Sequence, residues 1–324
     1  MSQAEESSSY STWNIVRSVV CIILSLSFII GIPGNCIVIW TVCTKMKQVS
    51  PSVLLILNLA IADVLVLITL PIWIYSFADS WIFGVIFCKI LVFVIYCSMY
   101  ASIFLVTALS LERLMAVFYP FTIQRCKTKE KISLIMFLIW FLSIAFGISV
   151  IPFQETEETD GGLQCTCRNY SSDRQKTSYL LLETLAGFVI PFLIICTCYI
   201  CVARRISGMT YQSKRRSERL IASVVVAFIL CWFPHHLFNF LDIISVGPEI
   251  VDRGAYISGA LVFISSCINP LLYAFAARRF QNHLRFAKIS KLFEQMSQTV
   301  TEEDKRRSLA AARQDDTVVS TENL

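Results

Sequence analysis

Asp63 is the first residue that demands a chemical explanation. It stands mid-run in Leu59-Ala60-Ile61-Ala62-Asp63, and an ionisable group inside a long apolar segment is costly enough to imply a partner or a function. The plainer reading is a polar contact to a neighbouring helix. The sharper reading is a cation or water site, for which Asn35, Ser98, Ser102, Ser265 and Asn269 offer the oxygen ligands that sodium prefers. A sodium ion at Asp63, Ser102 and Asn269, acting as an allosteric modulator, is the only cofactor expected. Glu112-Arg113 closes another apolar run. It reads either as an interfacial ion pair with a snorkelling arginine or as a lock that releases Arg113 when helices part. Pro191, Pro234 and Pro270 each interrupt an apolar run, and a proline there removes a backbone hydrogen bond and bends the helix. Catalysis is not expected, because no nucleophile–base pair or metal-ligand cluster falls in a common plane.

The elements that must position these residues follow from the apolar runs. Of 324 residues 56% are apolar and 16% charged, too apolar for an ordinary soluble domain and too charge-poor for disorder. A helix needs about 20 mostly apolar residues to cross a bilayer, and seven stretches meet that length: Val19–Val42, Ser52–Phe77, Ile90–Leu111, Ile132–Phe153, Tyr179–Ala203, Leu220–Leu241 and Gly254–Ala277. The expected fold is an all-α seven-helix membrane bundle over residues 15–277. Before it comes an outer N-terminus, 1–14. After it come a short amphipathic helix at the membrane surface, 278–291, and a disordered tail, 292–324. One set of loops carries Lys45, Lys47, Arg125, Lys127, Arg204, Arg205 and Lys214 to Arg216, whereas the opposite set carries Glu155, Glu157, Glu158 and Asp160. Basic loops stay in the cytoplasm, so the N-terminus is placed outside and the C-terminus inside, in the plasma membrane. That rule explains most of the positive charge without invoking nucleic acid. No cleavable signal peptide is visible, since the first residues are polar and acidic.

Asn169-Tyr170-Ser171 is a glycosylation sequon on the outer side. Ser308, in Lys305-Arg306-Arg307-Ser308, with Thr317 and Ser320, forms a set of candidate phosphorylation sites. Phosphates there favour basic, arrestin-like partners. Ten of the thirteen cysteines lie in apolar runs or a basic loop; Cys88, Cys165 and Cys167 fall where an oxidising compartment reaches them.

The order of motifs along the runs carries a resemblance. Gly34-Asn35 lies in the first, Leu59 to Asp63 in the second, and Cys88 with Glu112-Arg113 in the third. Trp140 lies in the fourth, Pro191 and Tyr199 in the fifth, Cys231-Trp232-Phe233-Pro234 in the sixth and Asn269-Pro270-Leu271-Leu272-Tyr273 in the seventh. This resembles the rhodopsin-like family of G-protein-coupled receptors over about residues 15–290. The resemblance implies a bridge from Cys88 to Cys165 or to Cys167. It implies that Arg113 meets the G protein, that Trp232 is a pivot beneath the ligand, and that Pro191, Ile103 and Phe228 relay its movement. It also implies that Tyr199 and Tyr273 meet near Arg113 on activation. Glu112 replaces the commoner Asp and Leu114 the usual Tyr. Partners implied are a heterotrimeric G protein of inhibitory type, arrestin and receptor kinases.

Within that family, the third run has no Asp in its outer half and the seventh has no Lys, which argues against amine and retinal ligands. Thr69-Leu70-Pro71 resembles the Thr-x-Pro of chemoattractant receptors. Three stretches are similar to the leukotriene B4 receptors: Ser98-Met99-Tyr100-Ala101-Ser102, Leu182-Glu183-Thr184-Leu185, and Trp232-Phe233-Pro234-His235-His236 with Asn239. This likeness implies a lipid chemoattractant ligand and a role in leukocyte chemotaxis and inflammation. The implied ligand-contacting residues are Tyr100, Glu183, His236, Asn239 and Arg253. The chain departs from that pattern at Val92, Gln154 and Arg253. The chemistry fits independently. The ligand's apolar chain suits a helical cleft, its hydroxyls suit Glu183, His236 and Asn239, and its carboxylate suits Arg168, Arg174, Lys176 or Arg253. The plainer reading of Glu183 is a carboxylate paired with one of those cations. The alternative is a peptide chemoattractant receptor of formyl-peptide, anaphylatoxin or somatostatin-like kind, for which Glu155 to Asp160 would suit a cationic ligand; a transporter or channel is more remote, because no internal repeat is apparent.

Overall fold

Backbone groups in lipid must bond within their own segment, so the apolar runs form helices. The protein is described by a computed structural model over residues 3–46, 51–119, 129–159, 162–206 and 211–276. Seven of the helical stretches within those residues are long and apolar enough to cross a membrane. The first span is α1 (Gln3–Lys45) and the third is α4 (Gly84–Phe118). The fourth is built on α5 (Lys129–Ile148), the sixth on α8 (Tyr211–Ile243) and the seventh on α9 (Pro248–Ala276). The amphipathic helix expected at 278–291, the tail at 292–324, and Ser308, Thr317 and Ser320 lie outside the described residues.

Two spans are interrupted where sequence suggested continuous runs. The second consists of α2 (Pro51–Leu67) and α3 (Leu70–Ala78). Pro71 has no N–H to give back to the preceding turn. The break is closed locally, where the Thr69 hydroxyl donates to the Val66 carbonyl at 2.7 Å. The fifth consists of α6 (Asp173–Thr184) and α7 (Ile190–Ile206), joined by a π turn over Leu185–Val189. The Ile190 N–H reaches back five residues to Leu185. Pro191, next in line, cannot donate, and the wider turn absorbs that loss. At Gly187, in this turn, an added Cβ would sit 3.4 Å from the His236 ring and 3.7 Å from the Tyr100 ring.

The outer end is capped by a hairpin that sequence reading did not foresee. Strands β1 (Gln154–Thr159) and β2 (Gly162–Arg168) pair antiparallel, with Gln154 opposite Arg168 and a bulge between Glu155 and Glu157. The hairpin is pinned at several points. Cys165, not Cys167, is bridged to Cys88, with the two Cα atoms 5.7 Å apart. Buried Gln164 donates to the Ser76 carbonyl at 3.2 Å, and the Trp81 N–H donates to the Leu163 carbonyl at 2.6 Å. Lys89 and Glu155 form an ion pair at 3.0 Å.

Packing places two layers below the hairpin. The outer layer gathers Val20, Leu24, Leu67, Leu70, Trp73, Trp81 and Leu91 around the disulfide. A deeper layer joins Ile103, Ile195, Tyr199, Phe228, Trp232 and Val262 from spans three, five, six and seven. Outward-facing Ile22, Leu26, Ile29, Phe137 and Phe141 remain exposed, the arrangement expected of surfaces that lipid solvates.

Candidate functional site

Residues of the hairpin and of the helices below it line a cavity of about 780 Å³, within the size range of small-molecule sites. Its deeper walls are apolar: Val20 and Leu24 of α1, Val92, Ile95 and Met99 of α4, and Ala260 and Phe263 of α9. Its mouth is polar, with Arg17, Glu157, Lys176, Asp242 and Asp252. Lys176 and Asp242 form an ion pair there at 2.6 Å.

One wall is a cluster of buried and half-buried polar groups around Arg168, the last residue of β2. Arg168 Nη1 donates to Glu183 Oε2 at 2.8 Å and to the Tyr170 hydroxyl at 3.5 Å. Arg168 Nη2 donates to the Tyr96 hydroxyl. The guanidinium also lies over the Tyr96 and Tyr179 rings, 5.3 and 5.6 Å from their centroids, a favourable cation–π arrangement. The second carboxylate oxygen, Glu183 Oε1, accepts from Tyr96 at 3.4 Å and faces His235 Nε2 at 3.1 Å. Burial would lower the Arg168 pKa, but the Glu183 carboxylate more than reverses this, and the guanidinium is held firmly charged. Burial pushes the Tyr170 phenol up, with Arg168 pulling it partly back.

The residues expected to meet a ligand separate into two groups. Asn239 lines the cavity, together with His235, Arg168 and Tyr96. Glu183, Tyr100 and His236 do not; they lie behind this wall. Glu183 is 5% exposed and is paired with Arg168. Tyr100 stacks on Phe146 with centroids 4.8 Å apart. His236, expected to face the ligand, instead faces Thr184 Oγ1 at 3.3 Å through Nδ1 and stacks on Phe188 and Trp232. Of the two histidines, His235 lines the cavity. Arg253 is likewise not a wall residue: its guanidinium sits 5.8 Å from the centroid of the Trp13 ring, and Trp13 itself lines the cavity.

Three wall groups keep hydrogen-bonding capacity. The side-chain nitrogens Asn239 Nδ2, His235 Nδ1 and Trp73 Nε1 are buried without a partner among the described residues. Since buried polar groups are normally paired, three such nitrogens on residues that line one cavity give its wall hydrogen-bonding capacity to spare. Sequence reading found Asn239 through the resemblance but passed over Trp73 and preferred His236 to His235.

Below the cavity, Asp63 is fully buried. It accepts from Ser102 at 3.0 Å and from Asn269 at 2.9 Å. A small cavity of about 30 Å³ adjoins Ser102, Ser265, Asn269 and Trp232. Trp232 and Phe228 stack at 6.1 Å in the layer that also holds Ile103 and Tyr199, and Pro191 is buried one helical turn before Ile195 of the same layer. At the inner end no ion pair joins Glu112 to Arg113 among the described residues, and Glu112 Oε2 is buried without a partner. Tyr199 is buried in the deeper layer, and Ser110 Oγ donates to the Val106 carbonyl at 2.9 Å. Tyr273 is on α9, and Asn169 is exposed after β2.

Residues 34–273 match the family model described as 7 transmembrane receptor (rhodopsin family). The chain is 31% identical over 284 residues to leukotriene B4 receptor 1 of Homo sapiens, covering 84% of this chain and 81% of the relative. It is also 31% identical over 284 residues to chemerin-like receptor 2 of Mus musculus, covering 84% and 79%. The type-2 angiotensin II receptor of Meriones unguiculatus is 32% identical over 279 residues, with 80% and 77% covered.

Proposed function

This chain belongs to the rhodopsin family of seven-transmembrane receptors, and on that premise we propose that it is a receptor for a hydroxylated lipid acid of the leukotriene B4 type. The observation that carries the reading is the cavity itself: apolar over its depth, with Arg168 on one wall and unpartnered Asn239, His235 and Trp73 nitrogens around it. An apolar chain fills the deep part, hydroxyls meet Asn239 and His235, and the carboxylate meets Arg168. The likeness to leukotriene B4 receptor 1 favours the same ligand class.

Ligand in this cavity bears on span six through His235, one helical turn above Trp232. A shift there reaches Phe228, Ile103, Pro191 and Tyr199, and through them the Arg113 end of span three, where a G protein of inhibitory type docks. Ligand and G protein then favour the same bundle state. The N-terminus lies outside and the C-terminus in the cytoplasm of a plasma-membrane protein. Arrestin and receptor kinases act on the tail at Ser308, Thr317 and Ser320, and Asn169 carries a glycan. The oxygen donors Asp63 and Ser102, beside a small cavity, fit a sodium ion, which would neutralise the buried carboxylate and favour the resting bundle.

A peptide ligand is the second reading. Acidic Glu157, Asp242 and Asp252 at the mouth favour it, as does the likeness to chemerin-like and angiotensin receptors. G-protein activation in cells expressing the chain separates the two. Leukotriene B4 and 12-hydroxy fatty acids should activate, and Arg168→Gln should raise the half-maximal concentration. Silence to lipids with a response to a chemotactic peptide sinks the lipid reading.

A further inference from the structure

We propose that Glu183 is a built-in counter-ion for Arg168, which an acidic ligand must displace, so that this pair sets how strongly the cavity prefers a carboxylate over its neutral ester. The inference rests on the lipid-acid reading and deepens it by giving Glu183 the role of competitor in place of ligand contact.

The geometry leads there directly. Arg168 lines the cavity, whereas Glu183 does not and is buried behind it. The 2.8 Å ion pair joins them across the wall, and both terminal nitrogens of the guanidinium already donate: Nη1 to Glu183 and Tyr170, Nη2 to Tyr96. A ligand carboxylate approaching from the cavity therefore meets an arginine whose charge is already paired and three of whose five N–H donors are engaged. Two carboxylates sharing one partly buried guanidinium would repel each other in a poorly solvated place, so binding proceeds by exchange and not by addition. Glu183 has somewhere to go. Its Oε1 is already bound by Tyr96 and faces His235 Nε2, so losing Nη1 from Oε2 leaves it partnered. The same exchange tightens the tie from span five to His235 on span six, which links acid recognition to the helix that carries Trp232.

The test is competition binding of leukotriene B4 and of its methyl ester to the full-length receptor in lipid nanodiscs. The quantity read is the ratio of acid affinity to ester affinity. In Glu183→Gln the isosteric amide leaves Arg168 without a counter-ion, and the ratio should rise by roughly tenfold or more, what one charge-assisted hydrogen bond is worth. In Arg168→Gln the ratio should fall toward one. Glu183→Asp, whose shorter side chain loosens the pair without removing its charge, should give a smaller rise and serves if the amide variant folds poorly. An unchanged or lowered ratio in the Glu183 variants overturns the proposal. So does an equal loss of acid and ester affinity, which would make Glu183 a partner for ligand hydroxyls. Binding with a flat ratio overturns this inference alone; failure of both lipids to bind any form of the receptor overturns the lipid-acid function and this inference together.

Discussion

Asn239 is the residue at which a ligand's hydrogen bond should be most visible. Its amide nitrogen is buried in the cavity wall with no partner among the described residues, so the empty protein bears the desolvation cost and the ligand recovers it. Asn239→Leu should therefore leave thermal stability unchanged or slightly raised. It should weaken activation by a hydroxylated lipid acid about fivefold, the worth of about 1 kcal/mol from one neutral hydrogen bond, while sparing the analogue without the hydroxyl. Dose–response curves for the two ligands check this, and an equal shift for both would remove Asn239 from the contact set. The candidacy of Asn239 was legible in sequence because it sits in a recognisable stretch of span six, and the structure places it in the cavity wall. Arg168 was legible only as one of four candidate cations. What singles it out is the meeting of residues 96, 168, 183 and 235, which no local spacing encodes. His235 and His236 show the complementary problem: helical periodicity says that they diverge, but which of them turns inward is set by the π turn that brings Gly187 against His236.

The hairpin over the cavity is the element whose placement depends most on a covalent tie. Its attachment to span three is the Cys88–Cys165 bridge across a sequence separation of 77 residues, and closing a long loop of this kind stabilises by about 2–5 kcal/mol. Cys165→Ala should lower the melting temperature of the purified receptor and abolish ligand binding, because Arg168 is three residues further along the same strand. Cys167→Ala should do neither, and equal effects from the two would contradict the pairing. At the π turn, Gly187→Val would push γ-carbons into the His236 and Tyr100 rings, where even the Cβ has only contact distance. Overpacking of this sort costs about 1–3 kcal/mol, and reduced surface expression should report it. The seven spans themselves were readable from apolar length alone, since lipid leaves the backbone little choice. The breaks within spans two and five were legible only as prolines. The hairpin was hidden because its strands, Gln154–Thr159 and Gly162–Arg168, are short and polar, without the alternation that marks a half-buried sheet.

At the scale of the whole molecule, the large cavity, the deeper packed layer and the inner end are stacked along the bundle. On the proposed function, a lipid acid entering the first acts on the last. Gly259 offers a way to close the cavity while sparing the fold: it lines the wall, and an added Cβ there meets nothing within 4 Å. Gly259→Leu should keep or raise thermal stability, because leucine is also the better helix former by nearly 1 kcal/mol. It should suppress activation by long-chain acids, and undiminished activation would place the ligand elsewhere. The most direct measurement is G-protein activation by leukotriene B4 in cells expressing the unmodified chain, with Arg168→Gln beside it at matched surface levels and a panel of chemotactic peptides as the comparison. A saturable response to the lipid that shifts to higher concentration in Arg168→Gln is the expected result. A response to peptides alone, or a lipid response indifferent to Arg168, would contradict it.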